Sequence, residues 1–374
     1  MSAEEQEKAN KLKEEVQAQE LRKAQYSSVY AVLKELGVDA IDGYWAGPTE
    51  QEIVTTSKEL LLKNEKISPT ALEKYFECPF KLFAGNGLRL KEREEAAVLA
   101  VDTGNFVHKL LEKTMPKTSE IKTEEDMRKF AREEGKKLLN HAIYEAQQDT
   151  DVGTYFTERL LEEGVAVALA AYRHIANSTF KVEHMEKEIH APFFHGFVDR
   201  VDVADSAELH KKDEGENSID SAVSDKNSKK YVRIVDYKTG SIDESAGAYY
   251  TGRKLQMELY MSEVKGDRIP AGVLYFPASL DYTTDGEGRF RMKGFLNGNT
   301  EALNCADDAL PIKGASEYIS AALENPAQRT SVMKEDVFLQ FLDYAKFVAE
   351  QATNEIKSGY VKATPYKDGC KFCK

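Results

Sequence analysis

Two kinds of hydrophobic pattern divide the chain. Between residues 68 and 178, apolar residues recur at the three- and four-residue spacing of amphipathic helices. From residue 180 onward, short apolar runs typical of buried strands take over, with helical patterns only at about 248–264 and 336–358. Helices followed by strands, with a helical crossover between two of the strands, predict an α/β or α+β fold around a mixed sheet.

The helices are delimited by recognisable signals. Ser68 is a favourable N-cap and Pro69 suits the first helical position, so a helix is predicted from there to residues 78–79. A second helix is predicted after residues 102–104, with more helix over 122–178. The residues expected on the buried faces of the first two helices are Leu72, Tyr75, Phe76, Phe106, Val107, Leu110 and Leu111.

Five strands are predicted, at residues 180–189, 193–203, 231–238, 271–276 and 289–295. Residues 205–230 are polar, acidic and rich in serine, without periodicity, which predicts a mobile loop between strands. Residues 1–66 are polar and helix-prone, and are interpreted as a helical N-terminal arm or the remnant of a preceding domain. A single domain is predicted over 67–374.

Composition limits the classes of function. The 64 acidic residues outnumber the 51 Lys and Arg, giving a net charge of −13, which by itself argues against a nucleic-acid-binding protein. That objection is weakened because local charge decides phosphate binding. No apolar run approaches the roughly 20 residues of a membrane span, no secretory signal is predicted, and no P-loop indicates ATP hydrolysis. The four cysteines are too few for a disulfide framework, so a cytoplasmic protein with reduced or metal-bound thiols is predicted.

The residues most suggestive of catalysis lie at 234–240 (IVDYKTG). Asp236 and Lys238 alternate along a strand and therefore point to the same face. In the preceding strand, Asp199 lies among apolar residues, where an anion is costly unless it is paired or metal-bound. If the two strands pair, the carboxylates and the ammonium form a Mg²⁺ site with a water-orienting lysine. The alternative is structural: Asp199 and Arg200 form surface ion pairs, and Asp236 pairs with Lys238.

Four ordered motifs resemble the RecB-type nucleases of the PD-(D/E)xK superfamily. They are residues 104–112 (GNFVHKLLE), 196–202 (GFVDRVD), 235–240 (VDYKTG) and 256–260 (QMELY). Three flanking segments are similar to the nuclease domain of the AddB proteins of bacterial AddAB helicase–nucleases: 68–81 (SPTALEKYFECPFK), 291–296 (RMKGFL) and 365–373 (PYKDGCKFC). The resemblance implies a restriction-endonuclease-like core, with a central mixed sheet flanked by helices and a helical N-terminal extension.

The resemblance also implies roles for individual residues. The metal ligands would be His108, Asp199, Asp236 and the backbone carbonyl of Tyr237, and Lys238 would position or activate the attacking water. In the helix after this strand, Gln256 and Tyr260, one turn apart, would support the site or contact DNA. Glu188 is expected as an additional acid. For the helical residues the alternatives are a structural histidine at 108 and an ordinary amphipathic helix at 256–260.

AddB-type domains carry a [4Fe–4S] cluster with one cysteine early and three late in the domain. Cys78 and the pair Cys370 and Cys373 match this pattern, and cluster irons require thiolate ligands. The family pattern has a fourth cysteine shortly after the position of Cys373, where this sequence has only Lys374. Cys305 as the fourth ligand, an external ligand, zinc on the late pair, or no metal are the alternatives.

By resemblance, then, the expected function is that of a Mg²⁺-dependent exonuclease domain. It would hydrolyse single-stranded DNA, on the 5′-terminated strand, in double-strand-break repair and recombination, together with an AddA-like helicase–nuclease partner. A free-standing Cas4-like exonuclease and a non-catalytic DNA-binding or scaffold module are the alternatives.

Overall fold

The computed structural model describes residues 61, 66–89, 100–140, 151–209, 228–240, 246–278, 290–307, 309–321 and 332–366. Three of the sequence predictions fall wholly or mostly outside these residues. They are the N-terminal arm over 1–66, the mobile loop over 205–230, and the cysteine pair Cys370 and Cys373.

Within the described residues, the helices predicted over 68–178 and 336–358 are present, with shifted boundaries. Ser68 caps the first helix, accepting a hydrogen bond from Ala71 N–H at 3.2 Å. The second begins at Ala100, before the predicted start after residues 102–104, and the described residues within 122–178 include two helices. The described helices are α1 (Pro69–Glu77), α2 (Pro79–Leu82), α3 (Ala100–Thr114), α4 (Glu124–Leu139), α5 (Asp151–Ala176), α6 (Ala246–Tyr250), α7 (Gln256–Val264), α8 (Thr300–Ala306), α9 (Ala309–Lys313) and α10 (Glu335–Lys357).

The described strands form one mixed sheet in the order of the sequence. They are β1 (Lys181–His190), β2 (His195–Asp205), β3 (Lys230–Lys238), β4 (Ile269–Pro277), β5 (Lys293–Asn297) and β6 (Val332–Met333). β1 pairs with β2 and β2 with β3 in antiparallel fashion; β4 is parallel to β3, joined to it through α6 and α7; β5 is antiparallel to β4 and parallel to β6. The predicted mixed sheet with a helical crossover is therefore confirmed.

The single helix predicted over 248–264 is wrong. The chain forms α6 and α7 with a turn between them, in which Gly252 has φ +77°. A Cβ atom at this glycine would lie 2.6 Å from the ring of Phe76, so α1 packs directly against the turn. The observed strand is also shifted relative to the prediction of 289–295, since β5 begins only at Lys293.

Apolar side chains fill both faces of the sheet. One layer, between the sheet and α1, α7 and α10, includes Leu72, Ile234 and Phe338. The other, between the sheet and α3, α4 and α5, includes Phe106 and Val235. Neighbouring residues of β3 thus enter opposite layers, which makes β3 a central strand buried on both faces. Among the described helices, none is both long and apolar enough to cross a membrane.

Candidate active site

Asp236 and Lys238 lie at the carboxyl end of β3. Lys238 Nζ is 2.7 Å from Asp236 Oδ2, so the ion pair expected from the structural alternative is present. On the antiparallel neighbour β2, Asp199 Oδ2 accepts a hydrogen bond from the backbone N–H of Tyr237 at 2.7 Å. The pairing of these two strands, on which the metal-site hypothesis depended, is present, and it gathers two carboxylates and one ammonium at one sheet end.

His108 reaches the same point from α3. Its Nε2 lies 2.9 Å from the backbone carbonyl oxygen of Tyr237, and its Nδ1 lies 3.5 Å from Asp199 Oδ2. Burial lowers the pKa of His108, which favours the neutral ring. If Nε2–H donates to the Tyr237 carbonyl, the Nδ1 lone pair faces Asp199; metal-binding histidines commonly donate their other ring N–H to a carbonyl in this way.

Glu186 of β1 is a member of the site that the sequence analysis missed. One ligand atom each from His108, Glu186 and Asp199 lie within 4.8 Å of one another. Glu186 has φ +47°, a backbone conformation that costs a non-glycine residue roughly 1–3 kcal/mol and recurs at functional sites. The acid expected from the sequence, Glu188, instead lies 3.3 Å from His190 with half of its side chain exposed, so Glu186 takes the place that was expected for it.

The electrostatics of the carboxylates favour a bound cation. Burial, followed by the negative charge of Asp236, raises the pKa of Asp199 to about 8. Burial also raises the pKa of Glu186, with repulsion from Glu112 and Asp236 adding to it. A cation between such groups would relieve their mutual repulsion. Oxygen and imidazole ligands at these distances suit a hard divalent cation.

Gln256, the first residue of α7, holds Asp236 in position. Its amide Nε2 donates to Asp236 Oδ1 at 3.2 Å. The helix start is itself held by Glu73 of α1, whose Oε1 accepts from the backbone N–H groups of Leu255 and Gln256 at 2.8 and 2.9 Å. A carboxylate at a helix N-terminus is electrostatically favourable. The 68–81 segment is therefore linked to the catalytic strand through α7.

Tyr260, one turn further along α7, is only 4% exposed and packs beneath the start of β2. A Cβ atom at Gly196 would lie 2.2 Å from its hydroxyl oxygen, so this position requires glycine. The hydroxyl also takes part in a hydrogen bond with the backbone of Phe197. In the described structure Tyr260 lies beneath the candidate site. Two roles were predicted for it, support of the site and contact with DNA, and support agrees with this burial.

A buried charge cluster lies on the opposite face of the sheet, beneath Tyr237. Arg200 and Arg233 flank Asp202 at 3.0 and 2.9 Å, and all three side chains are fully buried. Arg200 Nη1 also donates to the Tyr237 hydroxyl at 3.1 Å, and the guanidinium of Arg233 lies 4.3 Å from the ring centre of Phe180. The alternative that Arg200 forms a surface ion pair is therefore wrong, because α5 and the residues after it cover this face.

Glu258 of α7 is a buried carboxyl that the site does not use. It is 1% exposed and accepts no hydrogen bond from another residue in the described part of the chain. Burial raises its pKa to about 8, from an ordinary value of 4.5, and the negative charge of Glu73 adds to the shift. At neutral pH, then, the folded protein holds this group largely protonated.

The Glu258→Gln variant is expected to flatten the dependence of stability on pH. The unfolded chain releases the Glu258 proton near pH 4.5 and the folded protein only near pH 8, so ionisation favours unfolding between these values. Over that window the free energy of unfolding of the wild type falls by up to about 1.4 kcal/mol per pH unit, and glutamine, which does not ionise, removes this loss. Urea unfolding at pH 5 and pH 8 measures it. Glu263→Gln, on the same helix but partly exposed, should leave the slope unchanged, and equal slopes for all three proteins would contradict the assignment.

The fold agrees with the comparison to known families. The chain belongs to the PD-(D/E)XK nuclease superfamily, whose family profile matches residues 66–211 and 218–374. The fold class and family predicted from the sequence are thereby confirmed, and the chain is assigned to a family of nucleases.

Among curated proteins, the chain is similar to several that are named as the B-type subunits of an ATP-dependent helicase/deoxyribonuclease. That of Alkaliphilus oremlandii is 23% identical over 354 residues, covering 82% of this chain and 29% of the relative. Those of Listeria welshimeri and Bacillus pumilus are 25% and 27% identical, covering 88% and 85% of this chain and 31% and 30% of theirs. The chain thus spans about three tenths of the length of the curated relatives it matches.

Proposed function

We propose that this chain is the nuclease module of an AddB-like helicase–nuclease. It hydrolyses phosphodiester bonds of single-stranded DNA with Mg²⁺, on the 5′-terminated strand, in cytoplasmic double-strand-break repair and recombination. The observation that carries the proposal is the convergence of His108, Glu186 and Asp199 beside the Asp236–Lys238 pair. The names of the relatives, which join helicase and deoxyribonuclease, support the AddB-like assignment.

The residues at this sheet end fit a magnesium ion. Asp199 and Glu186 offer carboxylate oxygens, His108 offers a ring nitrogen, and Asp236 and the Tyr237 carbonyl complete the proposed ligand set. Burial, with mutual repulsion added, raises the pKa of both carboxyls, and a bound cation would favour their charged forms. The chemistry that Mg²⁺ supplies in such sites is polarisation of the phosphate and a lower pKa of bound water.

Lys238 acts as a cation in this proposal. Burial lowers its pKa, but attraction to Asp236 and the hydrogen bond that Lys238 donates to that carboxylate, with Asp199 adding to them, raise it overall. An ammonium with three N–H donors can orient a water molecule and oppose the charge of a phosphate. Gln256 holds Asp236 from the side opposite Lys238, and Glu73 holds the backbone of Gln256.

Lys254 supplies a second positive charge close to the site. The ammonium groups of Lys238 and Lys254 each lie 5.7 Å from the ring centre of Tyr275. A strand of DNA arriving at the metal site would therefore meet two lysines, although the whole chain carries an excess of acid. Such local concentration of cations is what phosphate binding requires.

The [4Fe–4S] cluster with Cys78, Cys370 and Cys373 stays a prediction, and one contact favours it. The backbone N–H of Tyr366 donates to the carbonyl of Glu77 at 2.9 Å, so the C-terminal segment meets the chain next to Cys78. Cys78 is buried and unpaired with any described cysteine, and Cys305 is a separate buried thiol. Iron and sulfide analysis of protein purified without oxygen tests the prediction, with Cys78→Ser as the variant expected to lose iron.

The function is tested by incubating the purified chain with single-stranded DNA labelled at either the 5′ or the 3′ end. Cleavage is expected with Mg²⁺ and not with EDTA, and early products should show shortening from the 5′ end. Shortening only from the 3′ end would contradict the proposed polarity. A chain that binds DNA without cutting it in any divalent metal would favour the non-catalytic alternative.

Association with a helicase distinguishes a module with an AddA-like partner from the Cas4-like alternative. A module of an AddB-like protein is expected to act within a larger complex, whereas a Cas4-like exonuclease acts without a helicase. Co-purification with an AddA-like helicase–nuclease, and stimulation of cleavage by ATP only in its presence, is the expected result. Full activity without a helicase, and no association with one, would favour the Cas4-like alternative.

A further inference from the structure

Phe197 is an exposed aromatic residue next to the candidate metal site. About half of its surface (51%) is accessible, whereas its neighbour Val198 is 1% exposed. Phe197 and Asp199 alternate along β2, so their side chains share one face, about 7 Å apart at the spacing of strand residues. A large apolar side chain thus borders the cluster of His108, Glu186 and Asp199.

The position of Phe197 is rigid, although its ring is exposed. Its backbone is hydrogen-bonded to the hydroxyl of Tyr260, whose ring fills the space left by the missing side chain of Gly196. It is paired on the other side with Glu188 of β1. A backbone held in this way loses little conformational freedom when another group packs on the ring, which lowers the cost of binding.

From this arrangement we propose that Phe197 is a stacking platform for one nucleobase of the DNA strand that the site cleaves; this rests on the proposed nuclease function. The carboxylates of Glu186 and Glu188 beside the ring repel phosphates, whereas the uncharged ring accepts the flat face of a base. The lysines that attract phosphate, Lys238 and Lys254, both lie near the ring of Tyr275 of β4, whereas Phe197 is on β2, with β3 between these two strands. The base on Phe197 would hold the strand so that the neighbouring phosphate lies at the metal site.

Stacking of this kind is tolerant of base identity, because every base has an aromatic face. Phe197 is therefore a positioning residue: it improves binding of the strand without touching the reacting atoms. Its loss should raise KM and leave kcat nearly unchanged. The expected change is about 5- to 100-fold in KM, the range measured for removal of one stacking aromatic elsewhere.

The test compares the wild type with Phe197→Ala, Phe197→Trp and, as a control, Tyr155→Ala, which removes an aromatic ring from α5 that is more exposed than that of Phe197. Each protein is assayed on a single-stranded oligonucleotide and on a series in which one nucleotide at a time is abasic. In the wild type, one abasic position near the cleaved bond should raise KM. Phe197→Ala should lose sensitivity at that position, Phe197→Trp should keep it, and Tyr155→Ala should behave as the wild type. Melting temperatures show whether the variants fold.

Three outcomes overturn the proposal in distinguishable ways. If the wild type neither binds nor cleaves single-stranded DNA with any divalent metal, the proposed function fails together with the stacking role. If the wild type cleaves DNA and Phe197→Ala keeps the same KM and abasic profile, only the stacking role fails, and the exposed ring serves another surface, such as a protein contact. If Phe197→Ala lowers kcat with KM unchanged, the residue acts on the catalytic geometry instead of the strand.

Discussion

The variants Asp236→Asn and Lys238→Ala are expected to lose nuclease activity by roughly 10²–10⁴-fold while remaining folded. Asparagine takes one negative charge from the proposed ligand set, and alanine removes the ammonium that lies 2.7 Å from Asp236. Cleavage of end-labelled single-stranded DNA in saturating Mg²⁺ measures the loss. Binding of DNA by the same proteins shows whether the effect lies in the chemical step.

The stability of Asp236→Asn distinguishes a catalytic defect from misfolding. The negative charge of Asp236 contributes to the raised pKa of Asp199, so its removal relieves repulsion and should maintain or raise the melting temperature. Lys346→Ala, which removes a partly exposed lysine from α10, is the control and should cleave within about twofold of the wild type. If Asp236→Asn digests DNA as fast as the wild type, this sheet end is not the active site.

Asp202→Asn is expected to reduce the free energy of unfolding by about 3–5 kcal/mol, the usual cost of breaking a buried ion pair. Asp202 is the shared partner of Arg200 and Arg233, and asparagine would leave two fully buried guanidinium groups without an anion. Urea unfolding at constant pH measures the loss. Adding Arg233→Met to Asp202→Asn should recover part of it, because one of the unpaired charges is then removed.

An exposed ion pair provides the control for this measurement. Arg132 and Glu162 lie 2.6 Å apart with about half of each side chain accessible, so Glu162→Gln should cost less than about 1 kcal/mol. A loss of similar size in Asp202→Asn would mean that the buried cluster does not stabilise the fold. Arg200 also bonds to Tyr237, whose backbone contacts Asp199 and His108, so Asp202→Asn should lower nuclease activity as well.

Much of the site could be predicted because some of its residues are close neighbours along a single strand. The alternation of Asp236 and Lys238 follows from the strand period of two, and their position at the end of β3 follows from the glycine after them. The order of the four motifs then pointed to the family, and the family profile confirms it although the curated relatives are only 23–27% identical. The roles of the individual residues remain predictions until variants are assayed.

Glu186 escaped prediction because the register of the β1–β2 hairpin decides which acid faces Asp199. His190 pairs with His195 and Lys187 with Val198, so Glu186 lies opposite Asp199 and Glu188 lies beyond it, toward the turn. The segment 183–188 has three acids, and a pattern of polar residues on an edge strand does not specify register. Counting back from the turn would have found Glu186 only if the pairing at the turn had been known.

Local periodicity and short motifs were enough to predict the elements, the mixed sheet, the family and the types of chemical group available, because each of these depends on neighbours along the chain. Which groups meet depends on the folded arrangement. Glu73 reaches the helix that holds Asp236 across 183 residues of chain, and Arg200 is buried under α5 instead of lying on the surface. Contacts of this kind depend on strand register and on the packing of layers, and neither is encoded in any single stretch of the chain.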